Sequence, residues 1–176
     1  MRNVENYRKY FTKEYMMGPN VLRLLSEIVE DNPQAISKGN VLDLGCGAAL
    51  SSIFLANETN ADTIWAFDLW VSPTDNWKRI CENGLEDKIV PIYGDALAMP
   101  FAQEYFNTVV SVDTYHYFGC EEEIEVKVYE SAHFDLVWQE WFDSGHEYGA
   151  RDKEFLERGL KDILNFVMMV IRRKEN

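Results

Sequence analysis

The chain has 176 residues, 47% of them hydrophobic and 14% aromatic, and carries a formal net charge of -13. That is enough apolar material for one globular domain with a sizeable core, and too aromatic for a disordered chain. The acidic balance argues against nucleic acid and anionic membrane surfaces, which reward clustered Lys and Arg, and favours a neutral or cationic small-molecule partner.

Cys46, Cys81 and Cys120 form no CxxC pair, which reads as reduced thiols in a cytoplasmic protein. The N-terminal MRNVENYRKYF lacks the apolar core of a signal peptide. The run ILNFVMMVI is about half a membrane span, so no membrane insertion is expected. There is no internal repeat and no Pro/Gly/Ser-rich linker.

In chain order, VLRLLSEIV (Val21 to Val29) repeats apolar residues at helical spacing, and Pro33 closes it. Asn40 to Leu44 is a short apolar strand between Gly39 and Gly45. Ser51 to Asn57 is a helix opened by a glycine turn. Thr63 to Phe67 is a second strand, ending at Asp68. Pro73 starts a helix to about Asn83, which Gly84 stops. Lys88 to Tyr93 is a third strand before Gly94-Asp95, and Thr108 to Val112 a fourth before Asp113.

Strand and helix alternate, and the strands suit burial on both faces. This predicts an α/β fold with a doubly wound, mostly parallel sheet. In such a sheet the carboxyl ends share one edge, where ligands bind. Asp43, Asp68, Asp95 and Asp113 then line one cleft. Each alone is also a good turn residue or helix cap; four in register point to a site.

VLDLGCGAAL (Val41 to Leu50) puts two glycines where the first strand ends. Its spacing is one short of the dinucleotide fingerprint G-x-G-x-x-G/A, and Asp43 would face a phosphate unfavourably. The stretch resembles the first motif, D-x-G-x-G-x-G/A, of class I S-adenosylmethionine-dependent methyltransferases. The resemblance continues in order. Asp68 in WAFDLW is similar to the acid that binds both ribose hydroxyls, followed by Leu69. Asp95-Ala96 in YGDALAMPF resembles the pair that contacts adenine. SVDTYHYFG resembles the loop beside the methyl donor. Among small-molecule methyltransferases the likeness is to the menaquinone/ubiquinone-biosynthesis-like and cyclopropane-fatty-acid-synthase-like branches. FTKEYMMGPN resembles the cap segment of a bacterial subgroup of them.

The resemblance implies a Rossmann-like fold, S-adenosyl-L-methionine as cofactor, and in-line displacement of its methyl group by a small-molecule acceptor. The implied cofactor set is Asp43, Gly45, Cys46, Gly47, Asp68, Leu69, Asp95, Ala96 and Asp113. His116 is either a general base or structural. Tyr115, Tyr117 and Phe118 either ring the sulfonium or acceptor by cation–π attraction or pack in the core. Tyr15, with Tyr10, Phe11, Met16 and Met17, either caps the substrate or belongs to a helix packed on the sheet. Trp138, Trp141 and Phe142, at helical spacing, read as core. His133 and His146 lack ligand spacing, so no metal is expected.

After the fourth strand the family continues with a helix, a fifth strand and another helix. Here roughly ten residues lead from Asp113 to Glu122 before EIEVKVYES reads as a strand, too few for a parallel crossover. On the order of 60–70 residues are short of a typical domain of this kind. Either an internal segment near Gly119 to Glu122 is missing from the sequence, the preferred reading, or the chain carries a deletion. The deletion would bare an apolar sheet edge and invite a homodimer. Ile124 to Tyr129 and Leu164 to Arg172 then form an antiparallel C-terminal strand pair, with helices at Ala132 to Asp143 and Asp152 to Leu160. The whole is expected as one domain, 1–176: an N-terminal helical cap (1–38), a cofactor-binding half (39–119) and C-terminal strands and helices (120–176). The rival functions are a non-catalytic S-adenosylmethionine-binding protein, a nicotinamide-dependent oxidoreductase, and a relative that builds a cyclopropane.

Overall fold

The structure, a computed structural model, describes residues 4–34, 36, 38–114, 125–130, 134–158 and 167–172. A 3-10 helix, Val4–Tyr10, opens it and leads through an irregular segment to α1, Val21–Asp31. The Asn20 side chain starts α1 by accepting a hydrogen bond from the Leu22 N–H at 3.0 Å. Leu22, Leu25 and Val29 then form a buried stripe. Next come β1 (Asn40–Leu44), α2 (Leu50–Glu58), β2 (Thr63–Asp68), α3 (Pro73–Glu82), β3 (Ile89–Tyr93) and β4 (Thr108–Val110). β5 (Glu125–Glu130), α4 (Phe134–Asp143), α5 (Glu147–Glu157) and β6 (Val167–Arg172) follow.

β1 to β4 form a parallel sheet in the order β3-β2-β1-β4. The chain builds outward from β1 to β3 and then returns to β4 on β1's other side, so the order reverses between β1 and β4. That reversal is where an open α/β sheet leaves a crevice at its carboxyl edge. β5 and β6 pair antiparallel as a separate two-stranded sheet.

Register sets the two faces, because neighbours in register point the same way. Val41, Ile64 and Ile89 align on one face with Ala66 and Val110. All five are buried in the main core with Leu25 of α1 and Ile53 and Phe54 of α2. Burying side chains of this size contributes about 1.5–3 kcal/mol each. α2 is buried from Leu50 to Ala56 without a break, as expected of a helix that is apolar all round.

The opposite face departs from the sequence expectation. Phe101 packs on Trp65 and Phe67 of β2, at 5.6 and 6.0 Å between ring centroids, and Tyr105 packs on Trp65 at 5.6 Å. These rings come from the β3–β4 connection, which holds only a short 3-10 turn (Ala96–Ala98). A loop covers less sheet than a helix, and Val90 and Val109 stay 37% and 57% exposed. The strands are therefore not all buried on both faces.

Other boundaries also moved. β4 stops at Val110 rather than Val112, because Ser111 and Thr114 turn the chain aside through a 2.7 Å hydroxyl contact. α5 starts five residues before the expected Asp152, where His146 accepts a hydrogen bond from the Tyr148 N–H and caps it. Trp141 is core at 1% exposure, and Trp138 and Phe142 pack against that core partly buried.

Candidate functional site

The site is assembled where β1 and β4 part. After Leu44 the backbone enters the left-handed region at Gly45 (φ 76°) and Gly47 (φ 52°). An added Cβ at Gly45 would lie 2.7 Å from the Thr114 side chain. Thr114 itself donates a hydrogen bond to the Leu44 carbonyl at 3.0 Å, closing the crevice floor from the β4 side. Ala49 (φ 61°) and Asp113 (φ 59°) are non-glycine residues held in the same left-handed region, one on each side of the crevice. Such strain collects at functional sites.

Asp68, 7% exposed, is the clamp of this region. One oxygen accepts from the Gly47 N–H at 2.8 Å. The other accepts from Trp70 and Val71, at 2.7 and 2.8 Å. Three of a carboxylate's roughly four lone-pair directions are thus occupied, leaving one. The Phe67 carbonyl takes the Gly45 and Cys46 N–H groups at 2.8 and 3.2 Å, so β2's end fixes the loop that follows β1.

Asp43 lies one layer deeper, 1% exposed, facing the start of α2. One of its oxygens accepts hydroxyl hydrogen bonds from Ser51 and Ser52, at 2.6 and 2.5 Å. Burial pushes its carboxyl up to about 6; the two hydroxyls pull it down and the charge of Asp68 adds to the rise. Burial also holds the Cys46 thiol well above its ordinary value, with Asp43 and Asp68 adding to the effect, so it stays protonated and unreactive.

Asp95 caps its own 3-10 turn by accepting from the Leu97 N–H at 2.9 Å, with Ala96 half-buried behind it. Leu69, Leu97 and Met99 stand 44%, 79% and 40% exposed on the adjoining loops. Asp113 keeps a solvent-exposed edge, yet the chain packed around it, helped by the charge of Asp152, pushes its carboxyl up to about 6.

The N-terminal segment reaches this place. A Cβ on Gly47 would meet Met17 Sδ at 2.9 Å, and one on Gly18 would meet Asp113 Oδ2 at 2.6 Å. Tyr15 packs edge-on against Tyr10 at 4.9 Å. A groove of about 290 Å³ lined by Phe134, Trp138, Phe142 and Leu156 lies between α4 and α5, apart from the glycine loop.

The structure therefore brings Asp43, Gly45, Cys46, Gly47 and Asp68 into one cluster, sets Asp113 across from it, and leaves Asp95 with Ala96 on the β3 side. Tyr115, His116 and Tyr117 lie outside the described residues. Sequence reading missed Ser51, Ser52, Thr114 and Asn76. Asn76 is 1% exposed, and its amide donates to the Gly47 carbonyl at 2.9 Å. Its signal was available: it lies four residues before Ile80, on the buried face of α3.

The donor set suits S-adenosylmethionine. Carboxylates accept from hydroxyl and ammonium groups and favour a nearby positive sulfur. No Lys or Arg belongs to the Asp43, Gly45, Cys46, Gly47 and Asp68 cluster to attract a phosphate.

Comparison with known proteins adds a likeness of fold and a family. A solved structure from Methanococcus maripaludis, named as a candidate S-adenosyl-L-methionine-dependent methyltransferase, is similar over 99% of this chain and 94% of its own. The identity is 15% and the TM-score 0.56, a likeness of fold. A candidate sarcosine dimethylglycine methyltransferase from Galdieria sulphuraria is 22% identical with a TM-score of 0.39, over 51% of this chain. The chain spans 32% of that protein's length. No curated protein matches the chain. The profile of the methyltransferase domain matches residues 41–133, more than half of the chain, with the acids and glycines from Asp43 to Asp113 inside it. The chain belongs to the methyltransferase-domain family, enzymes that use S-adenosylmethionine as their methyl donor.

Proposed function

We propose that this protein moves a methyl group from S-adenosylmethionine to a small neutral or cationic acceptor. We place it with the menaquinone/ubiquinone-biosynthesis-like or cyclopropane-fatty-acid-synthase-like enzymes and in the cytoplasm. Among the described residues no helix is long and apolar enough to cross a membrane. We take 1–176 as one methyltransferase domain whose antiparallel β5–β6 pair stands for the family's C-terminal strands. A homodimer across the exposed β4 side is part of the same proposal. One observation carries the reading: an acid-lined glycine loop, fixed by Asp68 through the Gly47 N–H, stands at the point where strand order reverses.

In this reading Asp68 offers its remaining lone-pair direction to a ribose hydroxyl. Gly45, Cys46 and Gly47 present backbone to the amino-acid end, and Asp43 stiffens that loop through Ser51 and Ser52. Leu69 and the Asp95-Ala96 pair border the adenine. Asp113 bears on the charged end of the ligand. When bound, the cofactor supplies a methyl group already activated by its positive sulfur. The protein's own work is then to orient the acceptor and exclude water. Tyr15, Tyr115 and Tyr117 are the candidates for holding the acceptor. His116 is the candidate for taking a proton from an acceptor that must lose one.

The test is transfer of labelled methyl from S-adenosylmethionine into a fractionated small-molecule extract, compared with Asp68→Ala. Label in a discrete small molecule, lost in the variant, supports the reading. Label that stays in the cofactor, or that enters protein or nucleic acid, overturns it.

A further inference from the structure

Residues 11–20 form a strap that is fastened at both ends and rests on the site between them. At one end the Lys13 N–H donates to the Ser144 carbonyl at 3.1 Å. At the other the Asn20 N–H donates to Val137 at 3.3 Å, and its side-chain amide donates to Glu140 at 2.6 Å. Between the anchors the strap has different partners. Met17 lies over Gly47, and Gly18 lies against Asp113. The guanidinium of Arg79 sits 5.7 Å from the Tyr15 ring centroid and donates to the Glu14 carbonyl at 3.5 Å.

Arg79 also donates to Asn76 Oδ1 at 3.0 Å. Asn76 is buried, and its Nδ2 donates to the Gly47 carbonyl at 2.9 Å. Gly47 is thereby held from both sides of its backbone: the N–H by Asp68 and the C=O by Asn76. A continuous line of contacts runs from the strap through Arg79 and Asn76 to the loop whose left-handed turn shapes the crevice. A loop residue fixed in this way has little freedom left to lose when a ligand binds, which favours binding.

We propose that Asn76 is a positioning residue for the cofactor loop, and that Arg79 couples it to the strap, so that cofactor affinity and seating of the strap rise and fall together. The inference rests on the methyltransferase reading. It makes α3, which carries none of the four strand-end acids Asp43, Asp68, Asp95 and Asp113, part of the binding machinery. It also gives the N-terminal segment a role in retaining the cofactor rather than only in covering the acceptor.

The test uses the full chain as wild type, Asn76→Asp and Arg79→Gln, titrated calorimetrically with S-adenosylhomocysteine. Asn76→Asp keeps the acceptor for Arg79 and replaces the donor that faces the Gly47 carbonyl. Arg79→Gln leaves that donor in place and removes the cation over Tyr15. Thermal melting without ligand reports the fold, and tryptic cleavage after Lys13 reports the strap. Expected are a dissociation constant about tenfold weaker for Asn76→Asp, the scale of one lost buried hydrogen bond, and about threefold weaker for Arg79→Gln. Ligand should protect Lys13 from trypsin in the wild type and protect it less in both variants. Folded variants with wild-type affinity and undiminished protection overturn the inference, whatever their melting temperatures. So does a lowered melting temperature with unchanged affinity, the mark of a purely structural side chain. Should Asn76→Asp fail to fold, Arg79→Gln with wild-type affinity and protection overturns it alone. A wild type that binds no ligand overturns the cofactor reading, and this inference with it.

Discussion

Asp43→Asn isolates the electrostatic cost of the deepest acid in the site. The Asp43 carboxyl titrates near 6 in the folded chain against an ordinary value of 3.8. Its leading cause is burial, which two serine hydroxyls only partly offset. Between those two values the folded state keeps a proton that the unfolded state has released. Stability from this group is therefore full below the unfolded value and falls as pH rises, reaching its floor above about 6. A shift of about two units corresponds to on the order of 3 kcal/mol across that window. Asn at this position is neutral throughout and has no such window. Urea unfolding followed by tryptophan fluorescence, at pH 4.5 to 7.5, should show Asp43→Asn gaining on the wild type as pH rises, by about 2 kcal/mol, the rest of the loss lying below pH 4.5. Ser51→Ala, which removes one of the two compensating hydroxyls, should deepen the decline and carry it to higher pH. A wild-type-minus-variant difference that is flat with pH, or that slopes the other way, would refute the reasoning.

The Arg23–Glu140 pair is buried on both sides, with side chains 3% and 10% exposed and a contact of 2.7 Å. Glu140→Ala should cost about 3–5 kcal/mol in urea unfolding, because it strips the principal partner from a buried guanidinium. Glu5→Ala, removing a carboxylate that is 53% exposed, should cost far less, because solvent screens that contact. Equal costs would show that burial does not separate the two contacts. Gly45→Ala places a Cβ against the branched carbon of Thr114 at φ 76°. It should lose about 2–4 kcal/mol and weaken S-adenosylhomocysteine binding, as the turn and the Thr114–Leu44 hydrogen bond cannot both persist. Wild-type stability and affinity would show that the crevice floor is softer than its packing suggests.

The elements legible in the sequence were those written by local rules. β1 spans Asn40–Leu44 as expected, and α3 begins at Pro73 behind a serine cap and ends where Gly84 takes up φ 63°. The turn after β1 was legible because two closely spaced glycines follow an apolar strand, and both take up positive φ. What the sequence hid was set by partners distant along the chain. β4 is cut short by the Ser111–Thr114 contact, and α5 begins early on a histidine cap. Asp43 reads as a strand-end acid but lies under α2, because in-register neighbours send it to the helix side of the sheet. Asn76 matters through a carbonyl 29 positions away, which no local pattern announces. The bare face at Val90 and Val109 follows from a crossover made by a loop, which apolar strands alone do not foretell.

The measurement closest to the central claim is calorimetric titration of the full chain with S-adenosylhomocysteine beside Asp68→Ala, on protein whose mass has been read. Asp68 holds Gly47, Trp70 and Val71 through three backbone hydrogen bonds. Its loss should loosen the loop and remove the acceptor offered to the ribose together. Micromolar binding by the wild type, abolished in a variant that still melts cooperatively, is the result this account predicts. A folded wild type that takes up no ligand, or an Asp68→Ala variant that binds as the wild type does, would contradict it.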